Sequence, residues 1–170
     1  MAVLSADCTV DLSELAPAIG VNLVRLATEE ELRQQNREAL ATIELLRSTD
    51  PALAANKKLV FDFWREVLQA HHVDRAPEYL AEDYLQHNPN VAIGRAAFME
   101  FFGQFPAVAI KDTIDDLVSI VAERDVVVLA FRRELPDLAR EGQTYTSTWF
   151  DMFRVADGQI VEHWDYGTKE

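Results

Sequence analysis

The sequence predicts an α+β fold in which helices come first and an antiparallel sheet follows. Apart from one short extended segment at 84–87, the helical patterns lie between residues 29 and 104 and the β-rich segments between residues 110 and 166, while residues 1–27 are too ambiguous to assign. A parallel sheet would need strands and helices to alternate, so this order favours a meander with helices packed on one face. A strongly curved sheet wrapped around helices leaves a cavity for a small ligand. The 170 residues suffice for one domain with a real core, because a chain of about 150 residues buries roughly 68–70% of its surface.

The first fifty residues differ from the rest of the chain. Thr28 followed by three glutamates is a capping-box start with negative charge at the positive end of the helix dipole. Apolar residues then recur at helical spacing, which predicts an amphipathic helix over residues 29–47. Asp50-Pro51 stops that helix. We therefore predict an N-terminal extension at 1–52, whose helix packs either on the main domain or on a second copy of the chain, and a main domain at 53–170.

Three more helices precede the sheet. A period of 3.6 in the apolar residues predicts a helix at 53–70, and a short helix follows Pro77 and runs into the extended segment. The third helix, at 96–104, begins after Gly94-Arg95 and has a stripe of phenylalanines.

Five segments have the composition of strands: Ile110 to Leu117, Val118 to Glu123, Val126 to Glu134, Tyr145 to Val155 and Ile160 to Tyr166. Two turns support antiparallel pairing between neighbours. Asp157-Gly158 is a strong hairpin signal, and Glu123-Arg124-Asp125 separates two further strands.

Composition excludes several functional classes. With 16 basic and 29 acidic residues the net charge is −13, which disfavours nucleic acid as a partner. The longest apolar run, Val126 to Phe131, is far shorter than the 18 or more residues of a membrane helix, and residues 1–27 lack a signal-peptide pattern. Cys8, the single cysteine, allows no intramolecular disulfide. We expect a cytoplasmic protein without a membrane or nucleic-acid partner. The sequence has no G-x-S-x-G elbow, P-loop or dinucleotide motif.

The last predicted strand has the most informative polar residues. Its alternation places His163 and Asp165 on one face. If that face is concave, an imidazole and a carboxylate project into an apolar cavity, where they could perform acid/base chemistry. Alternatively, both are ordinary solvent-facing or hydrogen-bonded residues near the chain end.

Two further residues are candidates. His87 stands just before the Asn88-Pro89 turn, where a neutral imidazole can exchange a proton near pH 7, although a structural hydrogen bond would also explain it. Asp151 interrupts an apolar strand beside Trp149, and its alternative is an ion pair with Arg154 or Arg132. His87, His163 and Asp165 could in principle form a two-histidine, one-carboxylate metal site, but spacing alone does not establish one.

The chain between residues 56 and 166 resembles the SnoaL-like polyketide cyclase family of the nuclear transport factor 2-like superfamily, in particular its branch of predicted aldol-condensation enzymes. The resemblance covers about two thirds of the chain and leaves residues 1–52 unexplained. The stretches that carry it are Asn56-Lys57-Lys58-Leu59-Val60 with Phe63, Tyr84-Leu85-Gln86-His87-Asn88-Pro89 with Gly94-Arg95 and Phe101-Phe102, and residues Asp151 to Asp165.

This resemblance implies a cone-shaped α+β barrel, a homodimer, and a mostly apolar cavity without metal or organic cofactor. Such cyclases use a cavity carboxylate as acid and base, and the matching residue here is Asp165, with His163 on the same face and His87 reaching in from the opposite wall. The residues it assigns to the substrate are Trp149, Asp151, Phe102, Phe63 and Tyr84. Related epoxide hydrolases need a second carboxylate and an arginine on a neighbouring strand, and Val126 to Phe131 contains no acidic residue, so epoxide opening is disfavoured.

These observations lead to two hypotheses. The first is a metal-independent enzyme for aldol condensation, cyclisation or isomerisation of a small, largely apolar carbonyl compound. The second is a non-catalytic binder of an apolar ligand, or a dimerisation module, on the same fold, because fold alone does not determine function.

Overall fold

The computed structural model describes residues 28–169. By internal packing the chain divides into two units, residues 1–37 and 38–170. Cys8 and the stretch 1–27, on which the expectations about thiols and a signal peptide rest, lie outside the described residues. The boundary predicted at residue 52 stays a prediction. Within residues 28–169, every helix is too short or too polar to cross a lipid bilayer.

The first helix, α1, begins at the predicted capping box. It spans Glu29–Leu46, and the amide of Glu31 donates to Thr28 Oγ1 at 3.2 Å while the Thr28 amide donates to Glu31 Oε2 at 2.8 Å. This reciprocal pair satisfies two donors that a helix start otherwise leaves free. Leu40 and Ile43 are 66% and 61% exposed, so the apolar stripe of α1 is largely open to solvent.

The second helix changes its winding before it ends. Helix α2 spans Pro51–Phe63, capped by Asp50, and continues as a π-helical turn over Trp64–Gln69. The predicted helix at 53–70 is therefore two segments. A π turn holds one extra residue, which rotates the side chains after it to a new direction.

Short elements connect this helix to the sheet. A 3-10 turn at Val73–Arg75 leads into helix α3, Ala76–Tyr79, and strand β1, Leu80–Gln86. Helix α4 follows at Arg95–Phe102, close to its predicted position.

Five strands form one mixed sheet in the order β1-β5-β4-β3-β2. Strands β2 to β5 are an antiparallel meander, as predicted, whereas β1 pairs parallel to β5. Their bounds are Leu117–Glu123, Val126–Pro136, Thr144–Ala156 and Gln159–Trp164. Asp157 and Gly158, with φ of 50° and 75°, form the predicted tight turn of the last hairpin. The described strands form an open sheet with β1 and β2 at its edges, not a closed barrel.

The prediction of a strand from Ile110 to Leu117 is wrong, because residues 110–116 form a loop. Side chains of the π turn bind the backbone of this loop. Arg65 donates to Lys111 O at 3.1 Å, and Gln69 bridges Thr113 O at 3.0 Å and the Asp115 amide at 2.8 Å. These polar groups are satisfied without a neighbouring strand, so the apolar composition of the segment does not produce one.

The core lies between the helices and one face of the sheet. Phe63 is fully buried and its ring meets Tyr79, Phe98 and Phe153 at centroid distances of 6.0, 5.8 and 5.9 Å. The ring therefore joins α2, α3, α4 and β4 at one point.

We predict that Phe63→Ala lowers the free energy of unfolding by about 3–5 kcal/mol, because it removes a ring from a packed core and leaves a cavity. Urea denaturation followed by circular dichroism measures the change. The control is Leu138→Ala, since Leu138 is 97% exposed and its truncation should cost less than about 0.5 kcal/mol. Equal effects of the two changes would contradict the central place of Phe63.

Candidate active site

A cavity of about 450 Å³ lies between the π turn, helix α4 and strands β3 to β5. Its inner walls are mainly aromatic, whereas several charged residues stand at its mouth. The lining residues are Trp64, Leu68, Gln69, Phe102, Asp115, Asp116, Phe131, Arg132, Arg133, Trp149, Asp151, His163 and Asp165.

Asp151 is the buried carboxylate of this cavity. It is 4% exposed, and its two oxygens accept indole N–H groups, Oδ2 from Trp64 and Oδ1 from Trp149, both at 2.8 Å. His163 Nε2 lies 3.4 Å from Oδ1. A buried carboxylate requires such donors, and here the two indoles supply them from the helix layer and from β4.

His163 is held from both sides of its ring. The ring stacks on Phe153 with centroids 4.4 Å apart and planes at 13°, and Nδ1 lies 3.2 Å from Gln86 Oε1. The amide of Asn88 donates to that same oxygen at 3.0 Å, which fixes the orientation of the Gln86 amide. Nδ1 therefore faces an acceptor and carries a hydrogen.

Asp165 follows β5 and is half-buried at the cavity wall. The Asn88 side-chain amide donates to both of its oxygens, at 3.1 and 2.9 Å, and the Gly167 amide donates to Oδ1 at 2.7 Å. A Cβ on residue 167 would collide with the Asn88 amide, so glycine keeps this pair intact. Asp165 is the more accessible of the two carboxylates, and the one better placed to meet a substrate.

The three groups converge. Asp151, His163 and Asp165 each offer one atom within 4.8 Å of the others, a spacing that could hold a metal ion. However, indole, amide and backbone N–H groups already donate to the oxygens of both carboxylates. This donor set suits a hydrogen-bonded acid/base group better than a metal centre.

Opposite charges meet at the mouth. Arg132 pairs with Asp116 at 3.4 Å, and Lys111 pairs with Asp115 at 2.5 Å. The Arg133 guanidinium lies over the Trp149 ring, 4.5 Å from its centroid. The same indole that donates to Asp151 thus also carries a cation on its face.

The structure brings most of the predicted site residues to the cavity. Asp165, His163, Asp151, Trp149 and Phe102 all line it. Phe63 and Tyr84 do not, since both are completely buried in the core. Burial raises the pKa of Tyr84 well above its ordinary value, so its hydroxyl stays neutral.

His87, expected to reach into the cavity, lies on the opposite face of the sheet. Its Nε2 is 2.7 Å from Glu162 Oε1 and its ring stacks on Trp164, with centroids 4.7 Å apart and planes at 4°. The cause is parity, because the preceding Gln86 faces His163 and the next side chain must point away. No cavity-lining role for His87 follows from this placement.

His87 belongs to a polar cluster on the outer face. Arg154 donates to Glu162 Oε2 at 2.9 Å and to Asp125 Oδ2 at 2.6 Å. The bond from Arg154 lowers the pKa of Asp125. Burial raises the pKa of Glu162, but hydrogen bonds from His87 and Arg154 outweigh it and lower that pKa below its ordinary value.

Four site residues were not found by sequence reasoning: Trp64, Gln86, Asn88 and Arg133. Trp64 directly follows Phe63, and two adjacent aromatic residues cannot lie on one face of a regular helix. This pair was the signal in the sequence for the π turn that begins at Trp64. Asn88 stood in the Asn-Pro turn, where its side chain was not considered. Arg133 lies where β3 leaves the core.

The comparison with protein families decides the identity of the fold. The family model for a SnoaL-like domain matches residues 60–163, more than half of the chain. The chain belongs to the SnoaL-like family. This SnoaL-like protein has the α+β architecture that the resemblance implied, with helices on a mixed five-stranded sheet that is not closed into a barrel.

Solved structures similar to this SnoaL-like protein include three from bacteria. A protein assigned as a polyketide cyclase from Xanthomonas campestris pv. campestris is 27% identical, with 67% of this chain and 90% of that one covered and a TM-score of 0.47. A SnoaL-like protein from Jannaschia sp. CCS1 is 21% identical, with coverage of 71% and 90% and a TM-score of 0.49. An epoxide hydrolase from M. tuberculosis is 16% identical, with coverage of 68% and 84% and a TM-score of 0.47. No curated protein matches the sequence.

We predict that the polar cluster on the outer face makes the free energy of unfolding decrease at acid pH. Asp125 and Glu162 have lower pKa values in the folded chain, so the folded state binds fewer protons than the unfolded one. Their contribution is complete above the ordinary values of 3.8 and 4.5 and is lost as the pH falls below them. Urea denaturation from pH 7 to pH 3 should show a smaller loss for Arg154→Gln than for the wild type. Parallel curves would contradict this role of Arg154.

Proposed function

We propose that this protein is an acid/base enzyme that enolises a small carbonyl compound, for aldol condensation, cyclisation or isomerisation. The observation that carries the proposal is the convergence of Asp151, His163 and Asp165 on one aromatic cavity. Each has bonded partners that fix its position, which general acid/base catalysis requires.

Asp165 takes the proton next to the substrate carbonyl. The electron pair of the broken C–H bond moves into the new carbon–carbon double bond, and the carbonyl oxygen gains negative charge. The hydrogen shared by His163 Nε2 and Asp151 Oδ1, which lie 3.4 Å apart, would turn to this oxygen and stabilise it, while Gln86 holds Nδ1 of the same ring. In an aldol step the enolate carbon then attacks a second carbonyl carbon, and the alkoxide that forms takes the proton from Asp165. In an isomerisation the proton returns from Asp165 to another carbon of the conjugated enolate.

The remaining residues position these groups. Trp64 and Trp149 hold Asp151, Gln86 holds His163, and Asn88 holds Asp165. The indole and phenyl walls exclude water from the flat, conjugated enolate, which increases the strength of each hydrogen bond in the cavity.

A second candidate function is the opening of an epoxide by water. The expectation against it rested on the lack of a second carboxylate, but Asp151 provides one on β4, next to β5. Asp165 with Asn88 would hold and deprotonate the water, and the His163–Asp151 pair would protonate the leaving oxygen. This chemistry uses the same three groups in a different order.

We also propose that the protein is a homodimer, and that it acts in the cytoplasm without a nucleic-acid partner. The outer face of the sheet supports the dimer, since Val121 on β2 and Phe150 on β4 are each 55% exposed and flank the half-buried Val128 and Ala130 of β3. Contiguous apolar surface of this kind favours association. The location and the lack of a nucleic-acid partner rest on composition, a single cysteine and a charge of −13.

We predict that Asp165→Asn reduces catalysed exchange of the α-protons of small aryl ketones at least 100-fold, because the general base is lost. Proton NMR in deuterium oxide measures the exchange. Asp157→Asn is the matched control, since Asp157 lies in the β4–β5 turn, outside the cavity lining, and should leave the rate unchanged.

The same variants are assayed with styrene oxide. Epoxide opening is favoured if the wild type hydrolyses styrene oxide but does not exchange ketone protons, and if Asp165→Asn loses the hydrolysis. Full exchange activity in Asp165→Asn would refute the role of this carboxylate. If the wild type turns over neither substrate yet binds aryl ketones, the non-catalytic hypothesis replaces the enzyme.

We predict that Phe150→Glu converts the dimer to a monomer, because it places a charge in an apolar interface. Sedimentation equilibrium on the full chain measures the mass. Leu138→Glu is the control, as Leu138 lies in an exposed loop. A wild type that sediments as a monomer would show that this face has no second copy on it.

A further inference from the structure

Arg133 is a cation at the cavity mouth without a carboxylate partner. Of the two arginines that line the cavity, Arg132 pairs with Asp116, whereas Arg133 forms no ion pair within residues 28–169. Lys111 also has a partner, because it forms an ion pair with Asp115. In a chain with 29 acidic and 16 basic residues, an arginine beside a cavity that stays unpaired is available to an anionic ligand.

The guanidinium is held in place by stacking. It lies on the Trp149 ring at 4.5 Å from the centroid, an arrangement favoured by the charge distribution of the indole. Stacking uses the face of the guanidinium and leaves its edge N–H groups free, and those groups match the two oxygens of a carboxylate.

Trp149 links this cation to the reactive groups. The indole that carries Arg133 donates its N–H to Asp151, which lies beside His163 and Asp165. One aromatic ring therefore separates the mouth cation from the acid/base cluster. A ligand anchored at Arg133 would extend along this ring into the cavity.

We propose that Arg133 binds a carboxylate of the substrate, so that the substrate is a carbonyl acid and not a wholly apolar compound. This proposal rests on the proposed function, because it concerns the same cavity. A carboxylate fits better than a phosphate, since Asp115 and Asp116 also line the mouth and repel a second negative charge more strongly than a single one. The carboxylate end stays at the mouth while the carbonyl reaches Asp165.

A matched pair of probes tests the proposal by binding alone. The probes are 4-oxo-4-phenylbutanoate and its methyl ester, which replaces the charged carboxylate by a neutral group and adds one methyl. Titration is followed by the tryptophan fluorescence of the full chain, since two of its three tryptophans, Trp64 and Trp149, line the cavity. The variants are Arg133→Gln, Arg133→Lys and the control Arg124→Gln, which removes the same charge from the β2–β3 turn, outside the cavity lining.

We expect the wild type to bind the acid about tenfold more tightly than the ester. Arg133→Gln should remove this preference without weakening ester binding, Arg133→Lys should keep part of it, and Arg124→Gln should keep all of it. Raising the salt from 0.05 to 0.5 M should weaken acid binding in the wild type and in Arg124→Gln, but not in Arg133→Gln. Acetate should displace the acid probe at lower concentration than inorganic phosphate does.

Equal binding of acid and ester by the wild type, no acid binding at all, or an unchanged preference in Arg133→Gln would overturn the proposal. Displacement by phosphate below the acetate concentration would overturn the choice of carboxylate. The result is independent of catalysis. Acid preference with full activity in Asp165→Asn would defeat only the proposed acid/base role, whereas lost activity in that variant without acid preference would defeat only the role of Arg133.

Discussion

The carboxylate of Asp151 constrains the arrangement around the cavity. A charge with 4% exposure is stable only where donors replace the water it has lost. The three partners of Asp151 belong to different parts of the fold: Trp64 to the helix layer, Trp149 to β4 and His163 to β5. The Asp151 carboxylate therefore links the helices, the sheet and the last strand. Removal of either indole would leave the buried carboxylate with a hydrogen bond unmade.

A continuous chain of hydrogen bonds follows from that constraint. Asp151 orients His163, His163 is oriented on its other nitrogen by Gln86, and the turn that holds Gln86 also supplies Asn88 to Asp165. Strand β1 and the segment after β5 therefore share one polar network, although the residues are about half the chain apart in sequence. Hydrogen bonds in such a network strengthen one another in a low-dielectric cavity. The loss of one member therefore weakens the bonds of the others.

The sequence could predict what depends on period and composition. Alternation along β5 placed His163 and Asp165 on the cavity face, and the hairpin at Asp157-Gly158 set the pairing of the last two strands. It could not predict features that depend on three-dimensional context. His87 lies on the outer face because side chains alternate along the strand and Gln86 faces the cavity. Trp64 lines the cavity because a π turn interrupts the helical period. The loop at 110–116 resembled a strand because its backbone partners, Arg65 and Gln69, lie more than forty residues earlier.

The parallel pairing of β1 with β5 has a consequence for the order in which the protein folds. The meander from β2 to β5 joins neighbours through short turns, whereas β1 must wait for a strand about 80 positions further along, with Leu80 opposite Ile160. Closing so long a loop costs more chain entropy than forming a hairpin. Gln86 and His163, and Asn88 and Asp165, can meet only after that closure. During synthesis the cluster of Asp151, His163 and Asp165 is thus incomplete until β5 and Asp165 have left the ribosome, and a chain that is cut short before β5 would pair only β2, β3 and β4, with the edge of β4 open and β1 without its partner.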